Sequence, residues 1–474
     1  MSYGEILCQI CGVSFNVSRY RTDGEPAEAA WRNTGDERRP FIDKYDVMSQ
    51  MDCVMKGCYF IRRRLDDAVG YLGGYLPPDG TEERWPPPGT TEFPPPGTDV
   101  DHAADHPIAL PIASGLATFE EHFCGVPMES GRAVFEHIAG PNCEQTAGYS
   151  GARISAEEME LANTYQCLAL KPRWWSSAPD DEPWEVTGKF FLTGLSDYMS
   201  STDQDSSIVY PARHGYDMPS TWNSFSAWQG DWGRAMPFHP TCLEVFKRAS
   251  LSRKGVVDAD GLTSWYRLDQ ERGFKQIVRD AAVKRGLDQW WCHHPGDEYV
   301  VANPCSIPKL KSIISQTKIG NTPSVIRTND QIETAIDTTD EPNDVFQKLP
   351  YDIKCNIVVH LDFTDLRNLN GMTGAFRGLH QSVYHDMVLR EMPWFWEAWS
   401  SLPIAPWATT TEKRLKAGEE PRAVPMEPLS LNDGTDWEAL GLQVERAGET
   451  VMGLRNRRRI WNDCQQILDK IEGA

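Results

Sequence analysis

The sequence lacks long apolar runs and an excess of positive charge. No window approaches the ~18 consecutive apolar residues that a membrane-spanning helix needs, and the start has no basic region followed by an apolar stretch. There are 68 acidic and 47 basic residues, giving a formal net charge of -21. Because this charge repels phosphate backbones and anionic bilayers, we expect neither nucleic acid nor membranes as partners. The expected location is the cytoplasm and/or the nucleus, where thiols stay reduced.

Signatures of common catalytic sites are missing as well. The sequence has no Gly-rich phosphate loop, no Gly-x-Ser-x-Gly turn and no His-Glu-x-x-His helix. His293-His294 with Asp297 and Glu298 could be drawn as a metal or acid-base cluster, but they stand in a Pro-Gly turn and are interpreted as surface loop residues. The sequence therefore predicts a protein that is not an enzyme, without catalytic residues or a required cofactor. A metal-dependent enzyme within residues 112–318 is the alternative.

The chain, at 474 residues, is long enough for roughly two to four folding units. The predicted fold class is α+β, with an irregular N-terminal α+β domain followed by a small three-helix unit and a C-terminal helix. The predicted units are an N-terminal domain at 1–318 with a proline-rich insertion at 77–111, an acidic linker at 319–345, the three-helix unit at 346–400, a proline-rich linker at 401–430 and a C-terminal helical segment at 431–474.

The proline-rich insertion contains an imperfect duplication. Trp85-Pro-Pro-Pro-Gly-Thr-Thr-Glu is followed at once by Phe93-Pro-Pro-Pro-Gly-Thr-Asp-Val. Proline removes backbone donors and stiffens the chain, so we expect an extended insertion rather than a strand or helix.

Two cysteine pairs have the spacing of zinc ligands. Cys8-x-x-Cys11 supplies two thiolates from one tight turn, and His239-x-x-Cys242 adds an imidazole and a third thiolate at the start of a helix. Four protein ligands leave no open position, so such a zinc would be structural and would tie the N-terminus to the middle of the chain. Ordinary buried cysteines are the alternative. The substitute pairs are Cys143 with His137, and Cys53 with Cys58.

Residues from Leu349 onward have the pattern of a helix that starts at a proline. Pro350 suits a first helical turn because its missing N–H would be unpaired there. Ile353, Ile357 and Leu361 follow at steps of four, which places them on one helix face.

A second and a third helix are predicted after it. Thr364 is placed to cap the second helix, and the third runs from about Ser382 to Glu391. Three helices in under ~50 residues are too few to bury all their apolar surface, so we expect a partner to cover part of it. The apolar positions of the second helix are Leu366, Leu369, Met372, Phe376 and Leu379.

This segment resembles the F-box family, whose members begin Leu-Pro, continue with Ile and Leu at helical spacing, and carry Asp-Leu followed ten residues later by an aromatic residue. Asn370, Gly371 and Gly374 depart from that pattern, and each glycine weakens a helix interior by about 0.5–1 kcal/mol. An ordinary helical hairpin is the alternative. The matching positions are Leu349, Pro350, Ile353, Ile357, Leu361, Asp365, Leu366, Leu369 and Phe376.

The resemblance implies a function in ubiquitin ligation. In that family these positions dock on a small Skp-family adaptor, which in turn binds a cullin scaffold. This chain would then be the substrate-receptor subunit of an SCF-type ligase and would bind a protein client through other regions. A non-ligase interaction scaffold with a structural zinc site is the alternative.

The whole chain is also similar, more loosely, to fungal F-box proteins in which a large cysteine-bearing region precedes the box. This wider resemblance implies no particular client. The stretches that carry it are Cys8–Phe15, His137–Cys143, Gly148–Gly151, Phe238–Cys242, Gly296–Tyr299 and Ala302–Pro304.

The C-terminal segment predicts one long amphipathic helix from about Asp436 to Ile471. Its basic cluster, Arg455 with Arg457 to Arg459, is interpreted as a solvated or salt-bridged face. The residues expected on the apolar face are Leu454, Trp461, Cys464, Leu468 and Ile471.

Overall fold

The computed structural model contains both helices and small sheets, which confirms a mixed α+β class. Most of the predicted insertion at 77–111 and nearly all of the predicted acidic linker at 319–345 lie outside the described residues. The structure describes residues 6–31, 41–42, 53, 56–64, 84–85, 133–171, 175–197, 207–208, 213, 225–226, 235–272, 277–287, 291–318 and 344–473.

The strands are short and come from the first half of the chain. They are β1 Arg19–Tyr20, β2 Phe41–Ile42, β3 Tyr59–Arg64, β4 Arg84–Trp85, β5 Ala133–Ile138, β6 Tyr149–Ser150, β7 Gln166–Leu170, β8 Phe190–Leu192, β9 Ser207–Ile208, β10 Phe225–Ser226 and β11 Met236–Phe238.

These strands form four small sheets in the described part of the chain. The largest has the order β2-β5-β3-β4 and is antiparallel throughout. Strands β11, β7 and β8 form a second antiparallel sheet, β1 and β6 a parallel pair, and β9 and β10 an antiparallel pair.

Strand β4 lies inside the predicted proline-rich insertion. Trp85 pairs with Phe60 of β3, so the expectation of an insertion without strands is wrong at this point. The physical reason is that Arg84 and Trp85 precede the proline run and keep their backbone N–H groups, which a sheet edge requires.

Eleven α-helices occur in the described residues. They are α1 Pro183–Thr187, α2 Pro240–Lys254, α3 Ala259–Arg272, α4 Ala281–Gly286, α5 Leu310–Gln316, α6 Tyr351–Val358, α7 Phe363–Met372, α8 Gln381–Glu391, α9 Glu412–Lys416, α10 Trp437–Thr450 and α11 Met452–Glu472.

Helix α11 lies at the centre of one continuous apolar core. It packs against α2, α3, α10 and the 3₁₀ turn at Glu298–Val301. The core joins side chains from residues 6–310 to those of α10, α11 and the three-helix segment. The three-helix segment is the F-box-like part of the chain and contains α6, α7 and α8. The predicted apolar face of α11 is confirmed. Leu454, Trp461, Cys464 and Leu468 are buried, and Ile471 is partly buried against the same core.

The predicted single C-terminal helix is two helices. Asp436 caps α10 by accepting a hydrogen bond from the Ala439 N–H, and Val451 separates α10 from α11 with extended backbone angles. Gly448, before the break, lies against Trp394, and Gly453, after it, lies against the Asn303 carbonyl. The change of direction lets the two helices meet different neighbours, and periodicity alone does not show this.

The three predicted helices of the F-box-like segment are present as α6, α7 and α8. Helix α6 begins at Tyr351, directly after Pro350, which is one residue later than predicted. Asp362 caps α7 by accepting from the Asp365 N–H, so the prediction that Thr364 caps it is wrong. A carboxylate one residue before the helix outcompetes a hydroxyl already inside its first turn. Helix α7 ends at Met372, and a separate 3₁₀ turn carries Phe376.

The predicted proline-rich linker at 401–430 is packed onto the rest of the protein. Arg248 donates a 2.7 Å hydrogen bond to the Leu402 carbonyl, and the carboxylate of Glu412 accepts from the Ser196 hydroxyl at 3.1 Å. Ile404 and Val424 pair as an antiparallel bridge. These contacts anchor the segment, so it does not act as a free spacer.

Within the described residues, no helix combines the length and the apolar character that crossing a bilayer requires.

Replacement of Gly441 by alanine tests the contact between the three-helix segment and α10. A Cβ at this position would overlap the Phe363 ring, so we expect Gly441→Ala to lower the free energy of unfolding by about 1–3 kcal/mol, in spite of alanine's better helix propensity. Gly371→Ala is the matched control. Its Cβ would meet no atom within 4 Å, and it should raise stability by about 0.5–1 kcal/mol. Urea unfolding measures both, and equal stability of the two variants would contradict the close approach.

Candidate functional site

The turn from Cys8 to Gly12 brings the first two candidate ligands together. The Gly12 N–H donates to the Cys8 carbonyl at 2.8 Å, and the Cys8 N–H donates to the Val13 carbonyl at 2.9 Å. Gly12 has a φ of +74°, which a residue without a Cβ adopts at little cost. The turn places both thiols on the same side, facing the start of α2.

The start of α2 supplies the other two ligands. His239 is the residue before the helix, Pro240 occupies its first position, and Cys242 lies in its first turn. Proline is favoured at that position, and the positive end of the helix dipole favours a thiolate there. The His239 N–H donates to the Cys8 sulfur at 3.4 Å. The sequence prediction that these two distant motifs meet is therefore matched by the geometry.

The ligand atoms of Cys8, Cys11, His239 and Cys242 are close enough to hold a metal ion. They all lie within 4.8 Å of one another, and all four residues are buried. The His239 Nδ1 atom is 3.5 Å from the Cys11 sulfur and 3.7 Å from the Cys242 sulfur. Ligand atoms of a tetrahedral zinc stand roughly 3.5–3.8 Å apart, given bonds of about 2.0–2.3 Å. We call this set the first cluster.

The protonation of the first cluster is uneven. Burial opposes ionisation of Cys11, but hydrogen bonds from the Cys242 and Cys8 thiols and the charge of His239 hold the pKa of the Cys11 thiol well below its usual value. Burial works against a charged His239, yet electrostatic attraction to the sulfurs of Cys8 and Cys11 and hydrogen bonds with them raise the pKa of its imidazole to about 10. A cation is thus favoured among these sulfurs, and a metal ion would take the place of the proton.

Two arginines hold the outer side of the Cys8–Gly12 turn. Arg459 of α11 donates to the Cys11 carbonyl at 2.8 Å. Arg279 donates to the Gln9 carbonyl at 2.8 Å and also to the Ile10 carbonyl. Both guanidinium groups contact Asp463, at 3.5 and 3.1 Å. The turn is fixed from behind by charged donors, so the thiols are positioned before any ligand binds.

The rest of the basic cluster also makes specific contacts. Arg457 is buried, stacks on Trp396 at 3.6 Å and pairs with Glu397 at 2.8 Å. Arg458 pairs with Glu449 at 2.6 Å, and Arg455 stacks on a tyrosine ring. The prediction of a solvated or salt-bridged face is confirmed in its salt-bridged form for Arg457, Arg458 and Arg459. Arg457 and Arg459 are buried.

A second cluster joins the two substitute pairs into one set. The ligand atoms of Cys53, Cys58, His137 and Cys143 also lie within 4.8 Å of one another, and all four residues are buried. The Cys143 sulfur is 3.8 Å from the His137 Nε2 atom. The sequence alone does not join the pairs, because four and five residues separate their members and nothing in the sequence brings residue 58 next to residue 137. The pairing of β3 with β5 does so.

His293 has a structural role. Its Nε2 accepts from the Ser18 N–H at 2.9 Å, and its Nδ1 donates to the Thr146 carbonyl at 2.9 Å. Asp297 pairs with Arg285 at 2.6 Å instead of contacting the imidazole. The interpretation of this grouping as surface loop residues is wrong about exposure, since His293 is buried.

The F-box-like segment exposes a set of apolar side chains. Tyr351 is 50% exposed, Ile353 44%, Val359 55% and Met372 86%. The Tyr351 hydroxyl accepts from the His380 N–H at 3.0 Å, which holds α6 against the start of α8. Exposed apolar patches of this kind mark protein–protein interaction sites.

Several of the predicted partner contacts are confined to the interior. Leu366 and Phe376 are buried inside the chain, and the Phe376 ring packs on Phe346 at 5.7 Å. These two side chains have no free surface in this structure, and their contact with a partner stays a prediction. Pro350 and Ile353 are exposed, and the partly exposed predicted contacts are Leu349, Ile357, Leu361 and Leu369.

No family model, curated protein or solved structure matches this chain. Its function is therefore inferred from its own residues and their geometry.

Substitution of Arg459 tests the support of the first cluster. Arg459→Met leaves the Cys11 carbonyl without its donor and removes a partner of the buried Asp463, so we expect a loss of about 3–5 kcal/mol in the free energy of unfolding. Arg458→Met, which removes only the exposed pair with Glu449, should change it by less than about 1 kcal/mol. Urea unfolding of the two variants gives the comparison. A loss for Arg459→Met no larger than for Arg458→Met would contradict the role of this helix.

The burial of His293 predicts a pH dependence. Desolvation lowers the pKa of its imidazole to about 4, so the unfolded chain binds this proton more readily than the folded chain. The resulting stabilisation is present above about pH 6.5 and is lost as the pH falls toward 4, on the order of 3 kcal/mol in total. His293→Gln, whose amide can keep the bond to Ser18, should flatten the fall in stability between pH 7 and 4.5. His294→Gln should not, and identical pH profiles for the two variants would contradict this account.

Proposed function

We propose that this chain is an F-box substrate-receptor subunit of an SCF-type cullin ubiquitin ligase, with α6, α7 and the start of α8 binding a Skp-family adaptor. The observation that carries the proposal is the pairing of the Leu349-Pro350 pattern with exposed apolar side chains on the helices that follow it. In this function the chain is a non-catalytic subunit, and partners transfer ubiquitin.

The two faces of the three-helix segment support this assignment. One face is attached to the rest of the chain: the Phe363 ring lies against Gly441, and the His385 ring meets Trp437 edge-on at 4.5 Å. The other face carries Ile353 and Met372 in solvent. A helix pair that served only internal packing would bury both, whereas a partner that supplies a hydrophobic groove accounts for their exposure.

The packing of the three-helix segment on α10 also fixes its position relative to the main core. Helix α8 packs on α10, and α10 packs on α11, which lies in the main core. A client bound to the N-terminal region would therefore be held at a fixed distance from the adaptor. Such an arrangement converts the encounter of client and ubiquitin carrier into a local one.

The first cluster is proposed to hold a structural zinc ion. Three sulfurs and one ring nitrogen are the donor set that zinc prefers in closed sites, and four ligands leave no position for a substrate. The zinc would tie the N-terminal turn to α2 and so stabilise the receptor. With all four positions taken by protein ligands, it would not catalyse hydrolysis.

Co-purification with a Skp-family adaptor tests the proposal. Leu349→Ala with Pro350→Ala should abolish binding, and Ile353→Asp should weaken it at least tenfold because a carboxylate would enter an apolar groove. Val256→Asp is the matched control. Val256 is 59% exposed between α2 and α3, and this change should leave the adaptor affinity unaltered.

A folded wild-type chain that fails to bind any Skp-family adaptor contradicts the ligase assignment. That result would favour the second function, an interaction scaffold with a structural zinc site, in which the exposed helices meet another protein.

A further inference from the structure

Strands β3 and β5 bring the second cluster together at one end of their ladder. Cys58 directly precedes β3, and His137 is the penultimate residue of β5. The register pairs Tyr59 with Ile138 and Phe60 with His137, so the start of β3 and the end of β5 lie side by side. Cys143 follows β5 by one short turn, in which its N–H donates to the Gly140 carbonyl at 3.2 Å.

The backbone around these cysteines is shaped to approach closely. The Cys58 N–H donates to the Cys53 carbonyl at 2.9 Å, and Gly57 has a φ of +88°. A Cβ on Gly140 would overlap the backbone of Gly57, so this crossing excludes any larger residue. The Gly140 N–H donates to the Cys58 sulfur at 3.2 Å, the kind of outer contact that orients a ligand toward a metal.

Among the described residues, the second cluster lies in a small apolar group of its own. The buried apolar group here consists of Tyr20, the three cysteines and Ala139, separate from the main core. The Tyr20 ring covers His137 at 4.4 Å, and the Phe60 ring stacks on it at 5.2 Å. An apolar group this small contributes little stability by burial alone, and none of its three cysteines forms a disulfide in this structure.

We infer that Cys53, Cys58, His137 and Cys143 form a second structural zinc site. The set offers three sulfurs and one imidazole Nε2, and all are buried. The 3.8 Å separation of the Cys143 sulfur from Nε2 is close to the spacing expected around a tetrahedral zinc, roughly 3.5–3.8 Å. The site is closed and has no position for a reacting ligand.

The second site lies at the end of the β3–β5 ladder that is farther from residues 65–132. Residues 65–132 lie between β3 and β5, and Arg64 pairs with Ala133 where the chain leaves and returns. The zinc would fasten the opposite end of the same ladder. A zinc ion there would help to offset the entropy cost of closing the 68-residue segment between the two strands. That cost grows only slowly with the length of the segment.

Metal counting on the full-length chain tests the inference. The chain is expressed in zinc-supplemented medium and purified under reducing conditions, and its zinc content is measured by inductively coupled plasma mass spectrometry. We expect two zinc ions per wild-type chain and one in each of Cys143→Ser and Cys242→Ser. Cys167→Ser, which alters a buried thiol outside both clusters, should retain two. No zinc in the wild type, or a zinc content in Cys143→Ser equal to that of the wild type, overturns the second site.

Thiol alkylation provides a readout that does not depend on a variant folding. In the zinc-loaded wild type, Cys53, Cys58 and Cys143 should resist a maleimide and react at least tenfold faster after chelation, as mapped by peptide mass. Rates at these cysteines that chelation leaves unchanged overturn the inference. Neither experiment uses the adaptor, so this site and the proposed ligase function can fail independently.

Discussion

The backbone carbonyls of the Cys8–Gly12 turn are held by guanidinium groups that follow them by about 270 and 450 positions in the chain. Arg279 bonds the Gln9 and Ile10 carbonyls, and Arg459 bonds that of Cys11. The carboxylate of Asp463 lies between the two guanidinium groups, and burial raises its pKa to about 6 even though both arginines oppose the rise. Charges this deep are stable only as a set, because each would carry a large desolvation cost alone. The contact joins the Cys8–Gly12 turn to α11, and side chains from both belong to one apolar core.

The two cysteine clusters share one architecture and differ in their surroundings. Each joins an early cysteine pair to a later histidine and cysteine, and each closes a long stretch of chain. The first lies in the main core, where His239 packs on Phe15 at 4.6 Å and apolar burial contributes much of the stability. The second lies in a small separate group of buried residues, where a bound metal would contribute the larger share of the local stability. Loss of metal should therefore loosen the β2-β5-β3-β4 sheet before it loosens the helices.

Local features of this fold could be predicted from the sequence, and long-range ones only in part. Pro350 and the spacing of apolar residues located the three helices, because a helix needs only neighbours within a turn to define its face. The first cluster was predictable since Cys-x-x-Cys is a compact signal. The second was not, because its ligands meet through a strand pairing across residues 65–132. Val451 was missed as a helix break for the same reason: packing on Asn303 and Trp394 turns the chain there, and propensity gives no hint of it. The burial of Arg457 and Arg459 likewise depends on partners far away in sequence.

The three-helix segment has a fixed side and a free side, and this asymmetry is the basis of the receptor assignment. Its fixed side makes apolar contacts with α10, whereas Ile353, Val359 and Met372 remain in solvent. Hydrogen-deuterium exchange of the full chain, with and without a Skp-family adaptor, examines this asymmetry most directly. The account predicts added protection in α6 and α7 and none in α10 or α11. Protection confined to other parts of the chain, or no change anywhere at saturating adaptor, would contradict it.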